Sequence, residues 1–509
     1  MKFRSMTINH GIFERVIEGG LIFVVVFTPL AFGAVHVGAY TLMELTVIFL
    51  LIVWMLKVLV VGHKLENRGI QNHRSLYVPL FLFIGFVLFQ MLPLPPPVLK
   101  HLSPKTYELY QQTLPGWPSE VSGGPIDSEN STNSVLAILN SQLTAHSWRS
   151  ISIYRHASRK ELFRILAYIG VFFLIINNLV TERQIKRFVV TIMVTGTVVA
   201  FLGILQALSG VDSIYWFWRS VHWGERPPGF FGPYVNRNHF AGYMEMVIPL
   251  SIGYLISYLS ISNFQGGDWR YRLSALESRI SKNLLIIFVI VVMITGLFLS
   301  LSRGGIMSFL VSMTFLINLL LFFPRSRKRG SVASLISIFS ISALFLIWLG
   351  IGPVLERLST LKDPDTVSPL RPVVYSDTIN IVKDFPLFGT GLGTFENIYP
   401  RYKTAKTDLF FEHAHNDYLE LLSDTGFFGA LFLIGAILFF LVVIVKRWTK
   451  RRYPFAVGIT LGGTAGIVAI LFHSATDFNM HIPANAMMFF ILLALSFAVV
   501  QMNTHRRKD

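Results

Sequence analysis

The sequence predicts an all-α, polytopic integral membrane protein, and three observations carry that expectation. Only 14% of its 509 residues are charged, against roughly a quarter in an ordinary soluble domain. The hydrophobic residues, 53% of the total, gather into runs of about 17 to 23, each long enough to cross a hydrocarbon layer of roughly 30 Å. About twelve such runs follow one another, leaving no stretch large enough for a separate soluble catalytic domain. With no cysteine in the chain, disulfides, thiolate nucleophiles, iron–sulfur clusters and Cys-ligated zinc are excluded.

In chain order the expected spans are 18–36, 40–61, 76–94, 161–180, 188–209, 238–260, 284–301, 305–323, 332–354, 426–445, 453–473 and 483–501. The first has small residues from Ala31 to Ala34 and could be mistaken for a cleaved leader. A second span follows after a few residues, and removing the first would reverse every later loop, so it is read as retained. A net charge of +16 would point to nucleic acid in a soluble protein. Here it follows the positive-inside bias: with a cytoplasmic N-terminus, the inner segments are roughly threefold denser in Lys and Arg than the outer ones. Arg325, Arg327, Lys328 and Arg329 lie in one inner turn, and Lys446, Arg447, Lys450, Arg451 and Arg452 in another. Both termini are therefore expected in the cytoplasm, with no nucleic-acid partner. The organisation is spans one to three in 1–94, a partly flexible outer loop in 95–160, and spans four to nine in 161–354 with an outer turn at 210–237. A large outer loop at 355–425 and the last spans with a basic tail in 426–509 complete it.

The 95–160 loop opens on Pro95, Pro96 and Pro97 and passes through a Ser/Asn/Gly-rich stretch from Ser122 to Ser134. Its Asn130-Ser131-Thr132 triplet is read as incidental. The turn at 210–237 carries Trp216, Trp218 and Trp223, which read first as interfacial anchors and second as stacking surfaces for a ligand. The run from Glu225 to His239, with its prolines and glycines, cannot continue a helix and must line a polar cavity or its mouth. Arg226, Asn236, Arg237 and Asn238 are then candidates for binding an anionic substrate. Ser302-Arg303-Gly304-Gly305 reads as the whole connection between two spans. A guanidinium so placed is either a snorkelling helix-end residue or a ligand group, and the two glycines suggest that something approaches the backbone closely.

The outer loop 355–425 concentrates its chemistry in two stretches. Residues 371–384 have apolar Val374, Ile379 and Val382 at helical spacing, with Pro372 suited to the first turn and Pro386 beyond the end. Arg371 would sit at the helix start, where a cation opposes the helix dipole. The following Phe388 to Gly393 is glycine-rich, and a tight loop is favoured over a phosphate cradle because no strand precedes it. Residues 412–426 read as a short outer helix ended by Gly426. On it His415 would share the bundle-facing side with Leu419 and Leu422, and Asp417 and Glu420 would face outward. His415 is then a candidate general base. Metal binding by His413 and His415 competes but is disfavoured, because residues two apart on a helix diverge. The last cluster, from His473 through Asp477 to His481, is either a solvated hairpin or part of the site.

On this topology the arginines, His415 and the last cluster all face outward. Several guanidiniums around one base suit a substrate with phosphate groups. No nucleotide pool is expected there, so a lipid-linked phosphate or diphosphate is indicated.

At these residues the sequence resembles the O-antigen ligase and polymerase-type family of bacterial polytopic glycosyltransferases. The resemblance rests on Ser302 to Gly305, on the Arg371 helix running to Phe395, and above all on His413 to Glu420 followed by Gly426 and Gly429. It covers roughly residues 160–500, with Gly229 to Tyr243 resembling the family's Asn-rich turn. Arg237 and His239 depart from that turn, and the 95–160 loop has no counterpart. The resemblance implies a GT-C-like helical fold in the inner membrane with a helical periplasmic region. It implies metal-independent transfer, with no cofactor, from a polyprenyl (undecaprenyl) diphosphate-linked glycan donor to an acceptor glycan, lipid A-core or protein. By the same resemblance His415 is the base and Arg303 and Arg371 hold the diphosphate; His413, Asn416, Asp477 and His481 are candidates for the substrate-binding set. A polymerase would use the same donor. The rival class is a polysaccharide transporter or flippase, which visible repeat symmetry and midplane polar residues would have favoured. A scaffold for envelope polysaccharide export is a third reading.

Overall fold

The computed structural model describes residues 10–61, 74–118 except 116, 148–218 except 212, 229–259, 269–322, 329–349, 352, 355–356 and 370–502. Among them the architecture is all-α, as the composition requires. In order the helices are α1 (His10–Leu30), α2 (Val37–Val61), α3 (Arg74–Met91), α4 (Pro96–Leu102), α5 (Pro104–Thr113), α6 (Arg155–Asn178), α7 (Glu182–Ser209) and α8 (Arg237–Leu259). They continue as α9 (Trp269–Leu299), α10 (Arg303–Phe322), α11 (Arg329–Leu349), α12 (Leu370–Asp384), α13 (Phe395–Tyr402), α14 (Asp417–Trp448), α15 (Pro454–His473) and α16 (Pro483–Gln501).

Nine of these are long and apolar enough to cross a membrane: α2, α6, α7, α8, the second part of α9, α10, α14, α15 and α16. The other three of the about twelve expected spans fall on helices α1, α3 and α11. Helix α1 carries Glu14, Arg15 and Glu18; α3 has an apolar stretch only from Tyr77 to Met91; and in α11 the apolar stretch runs from Ile338 to Trp348. The charges of α1 are matched within the fold, Glu18 accepting two hydrogen bonds from Arg187 of α7 at 2.8 Å. The first part of the 95–160 segment is helical. Prolines at the first positions of α4 and α5 preset the backbone angle there at no cost in hydrogen bonds. The Ser122 to Ser134 stretch and the Asn130 triplet lie outside the described residues.

The chain divides into two compact units. The first comprises residues 1–73, 164–368 and 438–509, the second 74–163 and 369–437. In the first unit α8 and α16 are the innermost spans, 94% and 100% buried, with α15 at 78%. Helix α15 places Gly458, Gly462 and Gly466 four residues apart, on one face, and this face lies directly on the backbone of α8. A side chain at Gly462 would strike the Pro249 carbonyl, and one at Gly466 would come within 2.7 Å of the Met246 carbonyl. In lipid, where water drives no apolar association, such close backbone approach is a main source of helix packing. Met246 opposes Gly466, and Gly253 opposes Gly458 and Gly462, so α8 and α15 run antiparallel.

The second unit has a small core of Val374, Ile381 and Phe385 from the α12 region, Phe395, Ile398 and Tyr399 from α13, and Ala414. Helix α12 turns Val374, Asp377, Thr378 and Ile381 inward. The expected face was Val374, Ile379 and Val382; instead Ile379 is exposed, because the polar Asp377 and Thr378 find partners inside. Asp377 accepts hydrogen bonds from the Tyr399 hydroxyl at 3.0 Å and from the Thr404 hydroxyl and amide at 2.8 and 3.1 Å. Asp384 accepts one from Tyr402 at 2.6 Å. These two carboxylates fasten the end of α13 to α12, and the chain from Lys403 to Phe411 leaves from that anchored base.

Candidate functional site

In the second unit the site is built at the head of α14. A short helix begins at Asp417, not at Glu412, and ends at Gly426, whose non-helical backbone separates it from the long helix that continues to Trp448. The expected short helix ended by Gly426 is present, but it starts later than expected and His415 is not on its face. His415 precedes the helix, with φ at 53° in the left-handed region. Asn416 is the cap: its side-chain oxygen accepts from the amides of Tyr418 at 3.0 Å and Leu419 at 3.1 Å. An asparagine just before an apolar-periodic stretch is a capping signal that the sequence carried.

Asp417 and Glu420 do not face outward; they are 8% and 2% exposed. One oxygen of Glu420 lies 2.8 Å from His413 Nδ1 and the other accepts the Ala414 amide at 2.8 Å. The Tyr375 hydroxyl of α12 donates to the His415 carbonyl at 2.8 Å. Arg371, half-buried, stands one turn before Tyr375 on the same helix, roughly 6 Å along its axis. The structure thus gathers His413, His415 and Asn416 in one corner before the head of α14, with Arg371 one turn away from Tyr375 on the helix that contacts them.

Beside that corner lies the glycine-rich loop, and its amides show what it does. Gly389 donates to the Phe385 carbonyl, Thr390 to Ser423, Gly391 to the Asp424 carbonyl, and Gly393 to the Asp424 carboxylate at 2.6 Å. Leu392 donates to the Gln90 side chain at 3.3 Å, while that side chain donates to the carbonyls of Phe388 and Asp424 at 2.6 and 2.9 Å. A phosphate cradle offers its amides to the ligand, whereas these are spent internally, so the loop is a tight turn. Its partner is the kink at Gly426, where φ is 60°. The amides of Phe427 and Phe428, released there from the helix ladder, donate to Pro386 and Leu387. Gln90 and Asp424 had drawn no attention in the sequence.

In the first unit, Arg237 opens α8, and the Asn236 side chain caps it by accepting the Asn238 amide at 2.8 Å. Asn238 donates to Asp477 at 2.5 Å and accepts from Ser302 at 2.8 Å. The residues expected near Arg303 and in the last cluster are thereby joined by direct hydrogen bonds. The last cluster is no solvated hairpin: His473 and Asp477 are each 1% exposed. His481 lies in a short 3-10 turn, Asn479–His481. Helix α10 begins at Arg303 itself, so Gly304 and Gly305 belong to its first turn instead of to a connection. What approaches these glycines is the protein. A side chain at Gly304 would come within 2.7 Å of His473 Nε2, and one at Gly305 would strike Ala241.

His473 Nδ1 contacts both oxygens of Glu245, at 3.2 and 3.1 Å. Glu245 is fully buried on α8. Sequence reasoning passed over Glu245, although it is the only acid in the apolar run 238–260, and such a residue is a functional pointer in a membrane helix. Arg226 and Trp223 lie outside the described residues.

A polytopic all-α membrane protein with buried polar clusters at its helix ends is the class that this architecture defines. Residues 288–434 match the O-antigen ligase family, in agreement with the resemblance read from the motifs. The matched segment contains Arg303, Arg371, His413 to Glu420, Gly426 and Gly429, and it supports a glycosyltransferase role of ligase or polymerase type. The Asn-rich turn at Gly229 to Tyr243 falls outside it. No curated protein sequence matches the chain.

Proposed function

We propose that the protein is an O-antigen ligase-like glycosyltransferase. It moves a glycan from a polyprenyl diphosphate carrier to an acceptor hydroxyl on the periplasmic side of a bacterial inner membrane, with both termini cytoplasmic. The observation that carries this reading is the His415 corner. There an imidazole at the head of a capped helix has its carbonyl held by Tyr375 of α12, the helix whose first turn carries Arg371, all within the segment that matches the ligase family.

In the proposed step the acceptor oxygen attacks the anomeric carbon and the bond from that carbon to the diphosphate oxygen breaks. The hydroxyl proton passes to His415. The departing polyprenyl diphosphate gathers negative charge, and Arg371 and Arg303 are assigned to it because guanidinium forks pair bidentately with phosphate oxygens and stay charged when desolvated. Arg226, Arg237, Asn238, His413, Asp477 and His481 are assigned to the sugars and the acceptor; Asn236 and Asn416 combine that role with capping. Direct displacement inverts the anomeric configuration and requires no carboxylate nucleophile.

The test is transfer in liposomes from a lipid-linked oligosaccharide, with and without lipid A-core or a protein acceptor. One-step transfer that depends on the added acceptor is expected, and His415→Ala should abolish it in a protein that still inserts. Lengthening glycans on the carrier would identify a polymerase, and movement of unmodified donor across the bilayer a flippase. An active His415→Ala protein would remove the base assignment.

A further inference from the structure

His415 occupies a backbone conformation that a side chain with a β-carbon rarely adopts, so neighbouring groups must hold it there. The hydrogen bonds on either side show which groups do so. On the N-terminal side, Glu420 takes the Ala414 amide with one oxygen and meets the His413 ring with the other. Ala414 is itself fully buried, leaving that peptide little room to turn. On the C-terminal side, Tyr375 holds the His415 carbonyl from α12, and Asn416 is committed to the cap of α14. The 413–414 and 415–416 peptides, one on each side of the Ala414–His415 pair, are thus held by two side chains from different helices. Neither side chain is required by the bond-making step.

We propose that Glu420 and Tyr375 are positioning residues that impose the left-handed backbone of His415 and thereby aim its imidazole at the acceptor hydroxyl. This inference rests on the reading of His415 as the base. Glu420 acts through geometry and not through its charge. Glutamine at this position can still accept the Ala414 amide with its oxygen, and its amino group can donate to His413 Nδ1 once the imidazole takes the other tautomer. Tyr375 acts through its hydroxyl alone, since phenylalanine keeps the ring and loses only the bond to the carbonyl.

The experiment compares Glu420→Ala, Glu420→Gln, Tyr375→Phe, His415→Ala and the double variant Glu420→Ala/His415→Ala in the liposome transfer assay, each checked for a monodisperse, inserted protein. Misplacement of a reacting group by about 1 Å can cost on the order of a hundredfold in rate. Glu420→Ala is therefore expected to lower kcat by about that factor, and Tyr375→Phe by about tenfold, with KM for the donor nearly unchanged. Glu420→Gln should restore most of kcat, and the double variant should be no worse than His415→Ala. Wild-type kcat in both Glu420→Ala and Tyr375→Phe, with His415→Ala inactive, would overturn the positioning role and leave the base reading intact. A Glu420→Gln protein as slow as Glu420→Ala would overturn it in favour of a role for the charge. If Glu420→Ala fails to fold, Tyr375→Phe and Glu420→Gln decide the matter alone. An active His415→Ala protein would instead overturn the reading on which the inference rests.

Discussion

An arginine in the first turn of a helix opposes the helix dipole, and the protein does this at Arg237 of α8, Arg303 of α10 and Arg371 of α12. Each arrangement costs helix stability and concentrates positive potential, since free amide groups at a helix start point the same way as the guanidinium. Such a residue is suited to an anion and poorly suited to replacement by a point charge. Arg303→Lys and Arg371→Lys are expected to lose most transfer activity while keeping their charge, measured as turnover of lipid-linked donor. Near-normal turnover would make both arginines helix-end anchors. The glycines after Arg303 carry a different lesson. Their bare α-carbons admit His473 and Ala241, so the close approach that the sequence signalled is made within the fold.

At the scale of elements, most spans were legible because an apolar run longer than a bilayer is thick has few alternatives. The phase of the outer helices was not. In α12 the buried side includes Asp377 and Thr378, which an apolar-spacing argument turns outward; Asp377 is held inward by Tyr399 and Thr404, distant in sequence, and the Thr378 hydroxyl is satisfied by the Val374 carbonyl of its own helix. The His415 segment was misread as helical for a related reason: its conformation is set by Glu420 and Tyr375, not by local preference. His415, Arg303 and Arg371 could be picked out by type and context and Glu245 as a lone acid in an apolar run, whereas Gln90 and Asp424 emerge only from contacts across the chain. The glycine face of α15 was equally hidden, since glycines in an apolar run alter hydropathy little. Gly462→Val places a side chain against the Pro249 carbonyl and should force α15 from α8. A destabilisation of roughly 1–3 kcal/mol is expected, seen as a lowered Tm in detergent. An unchanged Tm would show that the two helices can separate without cost.

For the whole molecule, assigning diphosphate charge to arginines has a consequence that can be tested without any variant. Transfer should persist after exhaustive chelation of divalent cations, and the product should carry the inverted anomeric configuration. Loss of activity with a chelator, restored by adding back one metal, would move the charge-stabilising role from the arginines to that ion. Retention of configuration would require a covalent intermediate and a nucleophile not assigned above.

The segment from Lys403 to Phe411 begins at a base fixed by Asp377 and Asp384 and ends at the Ala414 peptide fixed by Glu420. Leu409 and Phe410 within it are exposed. Since closing a longer loop costs only slowly more entropy, insertions and exchanges here are cheap for the fold. The exposed middle of the segment is therefore where a change of length or side chain disturbs the fold least, while Asp377, Asp384 and Glu420 keep their partners.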